Sequence, residues 1–306
     1  MVKISIISGF LGAGKTTFIK KLLKEGYFGT MPILIENDYG SLGIDSVVME
    51  ETGVRVEEMT SGCICCSLIG NFVLALEKLI KTQNPEHIII EPSGVGKLSE
   101  ILEGLNDLTV EFEKGLVLTI VDAKRFDYND QYVSEYFWDQ ISHADGVVLS
   151  KTQKLSGKQI SDLCDKIHAK VHKVEVICLP LEAAYHPVLD ELQEHKQKSI
   201  PKHMRPTFTR VKKARGNGTV FESWSVEPDR DFNDRQLQEI IDALSDKKTY
   251  GAIVRAKGIL NHEGGQILLD YVPDEGSIQQ LSKIEESRFF VIGMNLNRPE
   301  LEKLFK

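Results

Sequence analysis

The sequence predicts an α/β protein in which a doubly wound, mostly parallel sheet is followed by a smaller α+β domain. Three observations carry that expectation. Short apolar, β-branched runs alternate with amphipathic segments over residues 1–200. The first of these runs leads directly into a glycine-rich loop that opens a helical segment. A basic stretch with two prolines, 196–218, then gives way to a second set of strand-like runs.

In chain order, KISIIS (3–8), MPILIE (31–36), HIIIE (87–91), GLVLTIVD (115–122), DGVVLS (145–150) and VEVICL (174–179) read as strands. Their near-continuous apolar character fits a parallel sheet covered on both faces. Thr16–Glu25, Leu68–Thr82, Val133–Ser142 and Lys158–His168 carry helical periodicity between them, the alternation of a doubly wound domain. The expected division is 1–200 for this domain, 201–218 for a linker and 219–306 for the second domain. There FESWSVE reads as a strand, Asp231–Leu244 as a helix, and AIVRAKGIL, QILLDYV and FFVIGM as further strands. A last helix begins near Arg298.

Composition bounds the function. With 42% apolar and 27% charged residues the chain is ordinary for a soluble globular protein. A net charge of −8 argues against general nucleic-acid binding. Apolar runs fall short of membrane-spanning length, and the N-terminal run lacks a signal-peptide layout. The expected compartment is the cytoplasm, where thiols stay reduced, so crowded cysteines point to metal or redox chemistry before disulfides.

Gly9-Phe10-Leu11-Gly12-Ala13-Gly14-Lys15-Thr16 fits the phosphate-loop pattern G-x-x-x-x-G-K-[ST], with Thr17 following. Glycines let successive N–H groups face one phosphate, and the helix behind adds its positive end. Lys15 is placed to reach the β- and γ-phosphates and the Thr16 hydroxyl to ligate Mg²⁺. Glu91 ends a strand before Pro92-Ser93-Gly94, so it is expected on the Mg²⁺ side, with Gly94 able to sense a γ-phosphate. The polar loop ENDYGSLGID (36–45) suits a switch that orders on the γ-phosphate, with Asp38 and Asp45 as candidate ligands. Lys15, Thr16 and Glu91 are the candidate catalytic residues, and Thr16, Asp45 and Glu91 the candidate Mg²⁺ set.

Cys63, Cys65 and Cys66 are three of only five cysteines. Thiolates at i, i+2 and i+3 before a helix can converge on one ion, and the helix N-terminus favours the thiolate form. Three sulfurs leave Zn²⁺ a fourth position for a carboxylate, histidine, water or client residue, an arrangement suited to transfer. Co²⁺, Ni²⁺ and Cu(I) stay open. Cys164 and Cys178 read as core residues on a helix and a strand. His87 reads as structural, and Trp138 and Trp224 as packing.

With GFLGAGKTT, ENDYGSLGID, GCICC and IIIEPSG in this order, the chain resembles the CobW-like metallochaperone GTPases, which belong with the hydrogenase- and urease-maturation GTPases. RAKGIL and the strand order resemble that family's C-terminal domain. The resemblance implies a GTPase that binds a transition metal at the three cysteines and delivers it to a client metalloprotein. Slow turnover awaiting a partner is expected, in a monomer or a nucleotide- or metal-dependent homodimer. Asp38 and Ser41 stand where the family carries glutamates. Ser150-Lys151-Thr152-Gln153 stands where it carries Asn-Lys-x-Asp. Lys151 can still lie along a base, but Gln153 offers guanine one uncharged carbonyl, which predicts weaker guanine selectivity. GTP is the expected nucleotide and ATP the alternative. Two rival readings are an activator of a metalloenzyme or corrinoid protein whose cysteines meet the client, and a redox-sensing NTPase.

Overall fold

The computed structural model describes residues 1–36, 55–58, 69–198, 221–273, 275–281 and 286–306; side chains at 55–58, 69–71, 197 and 198 are not described. The chain forms two compact units.

The first unit is built on β1 (Val2–Gly9), β2 (Pro32–Glu36), β3 (Arg55–Glu58), β4 (His87–Glu91), β5 (Phe112–Asp122), β6 (Gly146–Ser150) and β7 (Glu175–Ile177). They make one sheet in the order β3-β2-β4-β1-β5-β6-β7, and every pairing is parallel. Between strands run α1 (Lys15–Lys24), α2 (Ile69–Gln83), α3 (Leu98–Asn106), α4 (Phe126–Tyr132), α5 (Ser134–Ser142), α6 (Gly157–Lys170) and α7 (His186–Lys198). Alternate residues of each strand enter opposite cores, which is why the strands read as unbroken apolar runs. Ile4, Ile6, Ile33, Ile35, Ile88 and Ile90 pack with Leu76 and Leu102. Ile7, Leu34, Ile89, Leu118 and Ile120 pack with Phe18, Leu22 and Leu189. The chain leaves β1 toward β2 on one side and returns across it to β5 on the other, so the loop after β1 lies where the strand order reverses.

The second unit contains β8 (Glu222–Val226), β9 (Asp231–Phe232), β10 (Ala252–His262), β11 (Gly265–Val272), β12 (Glu275–Leu281) and β13 (Arg288–Met294). Its helices are α8 (Asp234–Ser245), α9 (Lys247–Tyr250) and α10 (Arg298–Phe305). The antiparallel order is β12-β11-β10-β13-β8, with β9 parallel to β10. Leu237, Ile240, Leu301 and Phe305 cover one sheet face at Ala256, Leu260, Leu269 and Val291. An α/β domain with a parallel sheet and a second α+β domain are therefore both present.

Three local expectations need correction. The helix read from Asp231 starts at Asp234, because the Asn233 and Gln236 side chains cap one another's backbone N–H groups. Asp231 and Phe232 pair with β10 instead. The strand read over 174–179 stops at Ile177, since Pro180 offers no N–H and restricts the residue before it. Cys178 thus follows the strand, half-buried. The basic stretch read from 196 begins inside α7, which runs to Lys198. The structure also adds β12, a polar and exposed edge strand without the alternation that marks a buried face.

Candidate nucleotide site

At the C-terminal edge of the parallel sheet, Gly14 caps α1 with φ 96°, a left-handed conformation that glycine adopts without strain. This turns the chain so that the first residues of α1, Lys15 and Thr16, face the end of β4. There the Thr16 hydroxyl donates to Glu91 Oε1 at 3.0 Å and lies 3.2 Å from Oε2. Lys15 Nζ stands 3.7 Å from the same carboxylate, and both groups are buried. Hydroxyl and carboxylate oxygens a hydrogen bond apart are hard donors that fit Mg²⁺.

Past Glu91 the chain passes directly under the phosphate loop. A Cβ on Gly94 would lie 2.6 Å from Leu11 N, so only glycine permits this approach. Glu36, at the end of β2, is in register beside Glu91 and equally buried. Sequence reasoning had not singled it out, although an acid closing an apolar strand is the same signal that identified Glu91.

Ser150 ends β6 and donates to the Ala13 carbonyl at 2.7 Å, joining the 150–153 segment to the phosphate loop. Lys151 has φ 56°, an unusual backbone for a lysine. Its ammonium lies 2.8 Å from Asp122, which is 2% exposed at the end of β5 and also lies 3.8 Å from Arg125. Beside this segment opens a cavity of about 180 Å³, lined by Ala13, Gly14, Thr17, Phe18, Ile120, Lys151, Gln153, Leu179, Leu181 and Tyr185 among others. Tyr185 meets Phe18 edge-on at 4.9 Å and donates to the Leu179 carbonyl at 2.7 Å. Burial pushes its phenol up to about 12. Leu179, Leu181 and Tyr185 lie on the segment after β7, and no motif announces them.

The structure thus brings Lys15, Thr16 and Glu91 together. It sets Ala13, Gly14, Thr17, Ser150, Lys151 and Gln153 around one cavity, with Gly12 in the adjoining loop at φ 72°. Asp38, Asp45, Cys63, Cys65 and Cys66 lie outside the described residues. Among the described residues no three histidine, cysteine or acidic side chains form a metal-holding group. His87 opens β4 at the opposite edge of the sheet, buried, with its Nε2 2.9 Å from Ser5 Oγ. Cys164 is half-buried on α6, Trp138 donates to Asp130 at 2.5 Å, and Trp224 packs on Phe305.

A phosphate loop feeding a helix beside a parallel sheet, with an acid at the end of a neighbouring strand, defines a P-loop nucleotide-binding protein. The chain belongs to the CobW/HypB/UreG family: residues 3–177 match its nucleotide-binding domain and 221–306 the C-terminal domain of the cobalamin synthesis protein CobW. It is 32% identical over 202 residues to the zinc chaperone CobW of Sinorhizobium sp, covering 56% of this chain and 57% of that one. To the zinc chaperone YeiR of Escherichia coli it is 30% identical over 156 residues, covering 50% and 48%. To the zinc-regulated GTPase metalloprotein activator 1 of Dictyostelium discoideum it is 23% identical over 300 residues, covering 83% and 62%. The matches to the CobW and YeiR relatives span only about half of their length. Zn(II)-bound YjiA GTPase from E. coli superposes with a TM-score of 0.48 at 19% identity, covering 99% of this chain and 98% of that one. No helix among the described residues is long and apolar enough to cross a membrane.

Proposed function

We propose that this protein is a cytoplasmic GTPase that couples nucleotide state to the binding of Zn²⁺ and its delivery to a client metalloprotein. The observation that carries the reading is the convergence of Lys15, Thr16 and Glu91 beside a cavity bordered by Ser150, Lys151 and Gln153. The names of the relatives, zinc chaperones and zinc-regulated GTPases, support the cargo and the nucleotide. We divide the chain at 1–200, 201–218 and 219–306.

Thr16 and Glu91, with Asp45, would hold Mg²⁺, which when bound neutralises charge on the β- and γ-phosphates. Glu91 now engages both Lys15 and Thr16, so nucleotide binding exchanges the Lys15 contact for phosphate oxygens. Catalysis then rests on positioning by Lys15 and the loop amides, and turnover is slow until a partner completes the site. Lys151, oriented by Asp122, lies along the base; Gln153 accepts from guanine without charge, so ATP competes better than at an aspartate. Cys63, Cys65 and Cys66 bind the cargo ion, and the γ-phosphate orders the 37–45 loop and the GCICC segment together. Co²⁺ and Ni²⁺ are alternative cargoes.

The test is zinc affinity of the whole chain with and without Mg²⁺ and a non-hydrolysable GTP analogue, the ATP analogue serving as control. A change confined to the guanine form, lost when Cys63, Cys65 and Cys66 become serine, is the expected result. Absence of metal binding in either state would overturn the metal-delivery reading and move the cysteines to client contact or redox sensing.

A further inference from the structure

The segment after Glu91 is gripped by one helix. Gln140 of α5 is 1% exposed, and its side-chain amide donates to the Gly96 carbonyl at 2.9 Å and the Gly94 carbonyl at 3.3 Å. Two residues on the same helix hold the flank of that segment: Asp139 accepts from the Ser99 N–H at 3.1 Å and Glu135 pairs with Lys97. The helix end is in turn tied to the sheet, since the Thr119 hydroxyl donates to the Gln140 carbonyl at 2.7 Å.

The orientation of the amide is determined by its partners. Two carbonyls face it, so only the NH₂ end can point at them, and its Oε1 accepts no hydrogen bond from any described residue. A buried acceptor without a partner costs free energy, and the two carbonyl bonds offset that cost. Those bonds fix the backbone on both sides of Val95, next to the Gly94 peptide that packs on Leu11 of the phosphate loop.

We propose that Gln140 is a positioning residue that holds Gly94 against the phosphate loop and so sets the preference for a nucleoside triphosphate over a diphosphate. The inference rests on the nucleotide-binding reading above. Gln140 touches no nucleotide itself; it acts through the backbone of residues 94–96. A glutamine is required because a carboxylate of the same shape would turn oxygens toward two carbonyls and bury a charge.

The experiment measures dissociation constants of fluorescent GDP and a fluorescent non-hydrolysable GTP analogue, with Mg²⁺, for the whole chain and for Gln140→Met and Gln140→Asn. Methionine keeps the volume and removes the donors, and thermal melting reports whether each variant folds. The triphosphate-to-diphosphate preference is expected to fall about tenfold in the methionine variant, which loses both carbonyl bonds, with GDP affinity nearly unchanged. Gln140→Asn, which keeps the amide but shortens its reach, is expected to lie between wild type and methionine. A folded methionine variant with the wild-type preference, or equal losses for both nucleotides, would overturn the inference. Failure of the wild-type chain to bind either nucleotide would instead remove the reading on which it stands.

Discussion

The two edges of the parallel sheet both bury polar groups, yet they differ in how those groups are arranged. At the N-terminal edge each is satisfied locally: His87 with Ser5, and Asp145 with the Val117 N–H and Lys114. At the C-terminal edge the buried Glu36, Glu91 and Asp122 close β2, β4 and β5, with the half-buried Ser150 at the end of β6, beside the start of α1 and next to a cavity. Burial of a polar side chain is therefore a poor guide to function by itself. Convergence on an opening where helix N-termini and strand ends meet is the better one, because there unpaired N–H groups and a helix dipole already favour an anion.

That comparison can be broken by experiment. Glu91→Gln keeps the shape of the C-terminal edge and removes its charge; kcat for GTP hydrolysis is expected to fall roughly 10²–10³-fold with little change in melting temperature. Retained hydrolysis would make Glu91 as structural as Asp145. His87 predicts the reverse pattern at the other edge. Burial, with Lys3 adding to it against a bond from the Phe28 backbone, pushes its imidazole from 6.5 down to about 4. Because the folded pKa is depressed, the folded state binds fewer protons than the unfolded chain between these values. Its contribution is full above the unfolded value near 6.5 and is lost as pH falls toward 4, costing about 3 kcal/mol. Urea titrations of wild type and His87→Phe across that window should diverge in slope, while nucleotide affinity at pH 7.5 stays the same.

Smaller effects sharpen the picture of the base side. Asp122→Asn breaks the ion pair that orients Lys151 and should weaken binding of both GTP and ATP about tenfold. Gln153→Asp restores a charged acceptor and should raise the GTP-to-ATP affinity ratio about fivefold, read by competition binding. If the aspartate variant leaves that ratio unmoved, the base lies elsewhere than beside residues 150–153.

Much of the first domain was legible because its signals are local. A parallel strand buried on both faces must be continuously apolar, and a phosphate loop must spend its glycines in one short run. Most helix starts fall within one residue of where the periodicity places them; the exception is the helix read from Asp231, where Asn233 and Gln236 form a cap that overrides the periodicity. The exposed β12 carried no periodic signal at all, since its pairing with β11 is a matter of backbone hydrogen bonds.

By itself the sequence determined the phosphate loop, the acid at the end of β4, the strand alternation and the three crowded cysteines. Each is a property of neighbours along the chain. Only the tertiary structure decided that Glu91 meets Lys15 and Thr16, that Asp122 holds Lys151, that Gln140 grips residues 94–96, and that Leu179 and Tyr185 wall the cavity beside Gln153. These pairs are separated by tens of residues in the chain. Parallel pairing carries every strand end to the same edge of the sheet, and packing then selects which side chains touch there.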